Sequence, residues 1–219
     1  MYNTWWYGVF HAIISLVSGI SWTKLRAVLN SGKSYDLTEP ELDTIRSLLK
    51  PSYYIILTYR KTHLSTYLIG LASLLKTGKW PSYIHVLMNV DDGNIASDTD
   101  FKLVEATGKG GVHYSTFMEV FNCDRVCLMR PKGYTDDDWT ASLDGLLSTV
   151  GKQYDDLFSL NDDTRMSCVE DVRYALMKSP DYAKTFADFE ELITKKKNLV
   201  PQMFRDCKDF EVAYETPKR

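Results

Sequence analysis

Three residues of this chain have the types needed for nucleophilic acyl chemistry: Cys168, His85 and Glu105. A thiolate attacks a carbonyl carbon, an imidazole moves the proton, and a carboxylate holds the imidazole in one tautomer and orientation. Cys168 stands in residues 164–172 (TRMSCVEDV) and opens an amphipathic helical pattern, with Val169, Val172 and Leu176 on one face and Glu170, Asp171 and Arg173 on another. A cysteine in a first helical turn meets free backbone N–H groups and the positive end of the helix dipole, and both favour the thiolate. His85 interrupts the apolar run 84–88 (IHVLM) and shares a strand face with Leu87 and Asn89. Its expected role is to take the thiol proton and later deliver it to a leaving amine. Glu105 follows Leu103 and Val104 and, by alternation, points the same way as Leu103. An inward carboxylate needs a partner, and a histidine ring N–H supplies one. Each residue also has a plain reading: a buried structural thiol, a hydrogen-bonded core histidine, a solvated carboxylate at a strand end. His63 and His113 lie in polar, loop-like stretches and are rivals for the base, while His11 belongs to the N-terminal stretch.

The elements that must position these residues follow from periodicity. The chain has 219 residues, 44% hydrophobic and 13% aromatic, enough for one large domain with a real core. A net charge of −3 gives no basic footprint for nucleic acid. Cys123, Cys127, Cys168 and Cys207 are too sparse for a disulfide scaffold and are read as reduced, and Cys123 and Cys127 lack a second pair at zinc-finger spacing. Residues 5–22 are apolar almost all round, with a narrow stripe of Thr4, Gly8, His11, Ser15 and Ser18 at helical spacing. Such a helix must be buried against its own domain, a partner, an oligomer or a membrane. The absence of a basic n-region and of a clear cleavage site argues against a secretory signal. The pattern therefore divides into an N-terminal helical extension, 1–36, and a main domain, 37–219.

Within that domain Thr38-Glu39-Pro40-Glu41 is a capping box that starts a helix ended by Pro51. Strands are predicted at 53–59, 84–90, 101–107, 125–129 and 210–214, and helices at 64–76, 115–121, around Trp139, Leu143 and Leu146 after a Thr135 cap, from Cys168, and over 182–197. A turn closes the second strand at Asp91-Asp92-Gly93, and Gly108-Lys109-Gly110-Gly111 is a turn that lacks the ending of a phosphate loop. The order indicates an α+β fold: a small, mostly antiparallel sheet with helices packed on it.

Taken in order, these segments resemble the circularly permuted branch of the NlpC-type papain-like hydrolases. The likeness runs through 52–58 (SYYIILT), Tyr83-Ile84-His85-Val86, Leu103-Val104-Glu105-Ala106-Thr107, the linking Gly111-Val112-His113, Leu128-Met129-Arg130-Pro131, Gly151-Lys152-Gln153-Tyr154-Asp155 and Ser167-Cys168-Val169-Glu170. It covers about 37–177, and its specificity lies in the order and spacing of the segments. Two positions depart from the family: Ser52-Tyr53 replaces a glycine-aspartate pair, and Val169 replaces the serine after the cysteine. The resemblance implies a papain-like α+β core in which the sheet presents His85 and Glu105 to the N-terminus of the Cys168 helix. It implies a cysteine peptidase or amidase that needs no cofactor or metal. It also implies a peptide or related amidated cell-envelope substrate, with Tyr154 as a candidate oxyanion or substrate contact. The apolar N-terminal helix suits contact with an oligomer, a virion or a membrane, in a cytoplasmic or virion-associated protein acting at the cell envelope. Three alternatives stand beside this: a non-catalytic assembly protein that keeps the fold, a lipid acyl hydrolase or transferase, and a zinc hydrolase built on His85, Glu105 and His113.

Overall fold

The computed structural model describes residues 37–60, 70, 73–74, 79–90, 96–155, 164–196 and 199–217. The N-terminal helical stretch, His11, His63, the turn at Asp91-Asp92-Gly93 and most of the helix expected at 64–76 lie outside the described residues, though Gly70, Ser73 and Leu74 are helical.

Helix α1 (Glu39–Leu49) begins at the expected capping box, with Thr38 and Glu41 bonding each other's backbone N–H groups. Strands β1 (Ile55–Tyr59), β2 (His85–Asn89), β3 (Leu103–Thr107) and β4 (Gly111–Ser115) follow, then the short helix α2 (Phe117–Phe121) and strand β5 (Arg125–Pro131). Helix α3 (Asp136–Leu147) starts at the Thr135 cap. The short strands β6 (Gln153–Tyr154) and β7 (Arg165–Met166) lead into α4 (Cys168–Leu176). The chain ends with α5 (Tyr182–Thr185), α6 (Ala187–Lys196), α7 (Gln202–Asp206) and β8 (Phe210–Glu215).

The main sheet has six strands in the order β4-β3-β2-β1-β5-β8, and every pairing in it is antiparallel. Strands β6 and β7 form a separate parallel pair. Helices cover both faces, which makes this an α+β fold. On one face Ile55, Leu57, Val86, Met88, Val104 and Ala106 pack with Trp139 and with Cys168, Val169 and Val172 of α4. On the other, Ile56, Leu87, Leu103 and Leu128 pack with Leu42, Ile45 and Leu49 of α1 and Phe117 of α2. A sheet buried on both sides explains why β1 and β5 read as continuous apolar runs rather than alternating ones.

The structure differs from the sequence reading at several elements, among them the unpredicted β6, β7 and α7. The helix expected over 182–197 breaks at Phe186, whose ring turns into the core against Tyr134, Tyr182 and Phe210. Gly111-Val112-His113, read as a link, is part of strand β4 and pairs with β3 residue by residue. The segment after Met177, outside the family likeness, contributes Phe186, Phe189, Phe204 and Phe210 to the same core that holds Cys168.

One glycine fixes the geometry around β4. Gly111 has φ +64, a left-handed conformation, and a Cβ there would collide with the carbonyl oxygen of Lys152. That close approach lets Val112 N–H donate to the Lys152 carbonyl at 2.9 Å and Gly151 N–H donate to the Val112 carbonyl at 2.8 Å. Replacing Gly111 with alanine is expected to cost about 2 kcal/mol, from backbone strain plus the displaced contact. The urea midpoint of the variant checks this, and an unchanged midpoint would refute it.

Candidate active site

Ser167 ends the extended approach to α4 and caps it. Its Oγ accepts from Glu170 N–H at 3.4 Å, and Glu170 Oε2 accepts from Ser167 N–H at 2.8 Å. This reciprocal box starts the helix at Cys168, which therefore occupies the first helical position, where the backbone N–H has no partner within the helix. Cys168 is a free thiol, 3% exposed, packed against the β2–β3 side of the sheet.

His85 is the first residue of β2, and Glu105 is central in β3. The two strands pair at Met88↔Val104 and Asn89↔Leu103, which sets His85 and Glu105 at the same end of the ladder. His85 Nε2 lies 2.6 Å from Glu105 Oε2. The other carboxylate oxygen, Oε1, accepts from the Ser115 hydroxyl at 2.5 Å. Glu105 is 8% exposed, so this carboxylate is buried with hydrogen-bond partners on both oxygens.

The electrostatics follow from these partners. Burial opposes protonation of His85, but the nearby Cys168 and the hydrogen bond to Glu105 outweigh that and raise its pKa to about 10. Burial also works against the Glu105 charge, yet the hydrogen bonds from His85 and Ser115 hold its pKa down at about 2. The imidazole is thus paired with the Glu105 carboxylate and feels the nearby thiol of Cys168. Cys168, His85 and Glu105, separate in the sequence, meet in one place.

Tyr154 packs against the core cluster that holds Cys168. It lies in β6 opposite Met166 of β7, two residues ahead of Cys168. It lines a cleft of about 360 Å³ whose wall, among the described residues, includes Lys109, Lys152 and Arg165. His113, read from the sequence as a loop residue, lies on β4 directly opposite Glu105. Its Nε2 is 4.0 Å from Glu105 Oε1 and 3.3 Å from Ser115 Oγ, and its Nδ1 is 3.0 Å from the Gly111 carbonyl oxygen. A carbonyl only accepts, so Nδ1 carries a proton. Among the described residues no group of three or more His, Cys, Asp or Glu is gathered in a way that could hold a metal ion. Also among them, no helix is long and apolar enough to cross a membrane.

Two residues of this neighbourhood were missed in the sequence. Ser115 falls on the same strand face as His113, a relation visible only once 111–115 is read as a strand. Asp171 was placed on the polar face of α4 with Glu170 and Arg173, but it is 1% exposed. The signal was present: Cys168, Asp171, Val172, Ala175 and Leu176 form one stripe at helical spacing, and all are buried.

Neither a known protein family nor a curated protein matches the sequence. Among solved structures the chain is similar to the crystal structure of metalloprotein yiiX from Escherichia coli O157:H7, DUF1105. The identity is 18%, the TM-score is 0.49, and the match covers 74% of this chain and 96% of that one.

Proposed function

We propose that this protein is a cysteine hydrolase that cleaves an amide bond through an acyl-enzyme on Cys168, with His85 as acid and base and Glu105 as the residue that orients it. The observation that carries the reading is the buried pair of His85 and Glu105 at 2.6 Å, with Cys168, at the start of α4, near enough to raise the pKa of the imidazole. The ring passes its proton in both directions during the cycle. Starting from thiolate and imidazolium, Cys168 Sγ attacks the carbonyl carbon and the carbonyl π electrons move to oxygen. The backbone N–H of Cys168, at the start of α4, faces the developing oxyanion. Collapse of the tetrahedral species breaks the C–N bond, and His85 gives its proton to the leaving amine. Water then attacks the thioester, His85 takes the proton, and the acid leaves with the thiolate regenerated.

The substrate class we propose is a cell-wall peptide or a related amidated compound, on the strength of the family likeness. The cleft next to the Cys168 segment fits such a ligand: the described residues that line it include three basic ones, Lys109, Lys152 and Arg165. Cell-wall peptides carry free carboxylates that basic groups bind.

The test is the rate of Cys168 alkylation by iodoacetamide as a function of pH, followed by mass spectrometry, in wild type and His85→Ala. At neutral pH the wild-type thiol is expected to be alkylated faster than the His85→Ala thiol, which lacks the imidazole. Identical profiles in the two proteins would sink the assignment.

A further inference from the structure

The helix that carries Cys168 also carries a carboxyl group for which the proposed chemistry has no use. Asp171 lies one helical turn beyond Cys168 and is 1% exposed. Its contact is with Thr149, in the link between α3 and β6, a residue that is itself fully buried. The Thr149 hydroxyl oxygen is 2.6 Å from Asp171 Oδ1 and 2.5 Å from the carbonyl oxygen of Leu146, in the last turn of α3. A hydroxyl has one proton to give, and both a carbonyl and an ionised carboxylate can only accept. With Asp171 ionised, one of these two short contacts sets lone pair against lone pair. With Asp171 protonated, the acid donates to Thr149 Oγ1, Thr149 donates to Leu146, and both contacts become hydrogen bonds.

The surroundings agree with that count. The charges that face Asp171 are Lys152, from the same link as Thr149, and His85, from β2. Cys168 is the titratable group one turn away on its own helix. Lys152 Nζ sits 5.1 Å from the ring centroid of Tyr174, so its charge is shared with an aromatic face. Burial pushes the Asp171 carboxyl up to about 7, prevailing over Thr149, Lys152 and His85, which pull the other way.

We propose that Asp171 is a neutral acid in the folded protein and a positioning residue for Cys168, fastening the first turns of α4 to the end of α3 through the chain Asp171–Thr149–Leu146. The positioning role rests on the proposed nucleophilic role of Cys168, whereas the protonation state does not. The sign of the pH effect is fixed: the folded value, about 7, lies above the ordinary 3.8. The stabilisation is therefore complete below that ordinary value and is lost as pH rises through 7. Above it, Asp171 ionises, the chain loses one of its two donors, and α4 is less firmly tied.

Carboxyl carbon NMR of the full chain, with Asp171→Asn to assign the signal, measures the titration directly. Asp171 is expected to titrate near 7, and titration in the ordinary aspartate range would overturn the proposal. The positioning role is read from Cys168 alkylation at pH 6. Thr149→Val removes the middle of the chain and is expected to slow alkylation about tenfold, whereas Asp171→Asn keeps an N–H to donate and is expected to hold the wild-type rate. An unchanged rate in Thr149→Val, or equal losses in both variants, would overturn that role. Wild-type Cys168 reacting as an ordinary thiol would remove the catalytic reading while leaving the Asp171 titration to stand on its own.

Discussion

Replacing Cys168 with alanine is expected to lower amide hydrolysis by at least about 10⁴-fold while leaving the fold intact. The size follows from what the residue does: without the sulfur there is no acyl-enzyme, and only binding and the backbone N–H at the start of α4 can still act on the carbonyl. The fold should survive because Cys168 presents a small side chain at the edge of a large core, where Val169, Val172, Ala175 and Leu176 carry most of the α4 packing. The removed volume is close to a single sulfur, so the stability loss should be about 1 kcal/mol. Incubation with a digest of cell-wall peptides, followed by mass spectrometry, reads both the cleaved products and any acyl adduct on the wild-type protein. An adduct on Cys168 that disappears in Cys168→Ala, together with loss of product, is the expected pair of results. Product formed at the wild-type rate by a clean Cys168→Ala preparation would rule out the thiol mechanism, whatever the geometry.

What the sequence could and could not convey divides along physical lines. Caps are local, so Thr38 and Thr135 announced the starts of α1 and α3 and both cap as expected. The strand cores are strongly apolar, so the runs at 55–57 and 86–88 mark β1 and β2 without help from their neighbours. The ends are less legible, because pairing decides them: β5 runs on to Pro131 since β8 lies alongside it from Phe210 to Glu215. Strand β4 was hidden for a similar reason. Its pattern, Gly-Val-His-Tyr-Ser, has one aliphatic residue, and what makes it a strand is the full ladder with β3 and the backbone bonds to Gly151 and Lys152. That omission concealed Ser115, and with it the second hydrogen bond on Glu105. Asp171 was lost by a different route. Its neighbours Glu170 and Arg173 are half-buried and make a cap and an ion pair with Glu190, so grouping by charge put all three on one face. Only the partner at Thr149, 22 residues earlier in the chain, shows why an acid can occupy the buried stripe. The placement of Cys168, His85 and Glu105 was more legible than its setting, because each sits at a fixed place in a regular element.

Glu105→Gln should leave the backbone in place and change the chemistry of the site. The amide still accepts from Ser115 or from His85, but it brings no charge. The imidazolium at His85 then loses the carboxylate that faces it at 2.6 Å, and the pKa of the ring should fall from about 10 toward its ordinary 6.5. Activity is expected to fall by about 10²- to 10⁴-fold, as it does when the orienting carboxylate of a triad is replaced by its amide. Stability should report the same change with a defined sign. In wild type the folded pKa of His85 is raised, so its contribution is complete below 6.5 and lost as pH rises through about 10; that of Glu105 is lowered, so its contribution is complete above 4.5 and lost as pH falls through about 2. The pair therefore contributes most between pH 4.5 and 6.5. There the variant should be less stable than wild type by about 3 kcal/mol, the cost of leaving one member of a buried pair without the other, and the difference should shrink toward both extremes of pH. Urea midpoints of the two proteins at pH 3, 5.5 and 9.5 test this. A difference that is flat across the range would mean that His85 and Glu105 hold no charged pair, and the imidazole would then lack the counter-ion on which the thiolate–imidazolium chemistry depends.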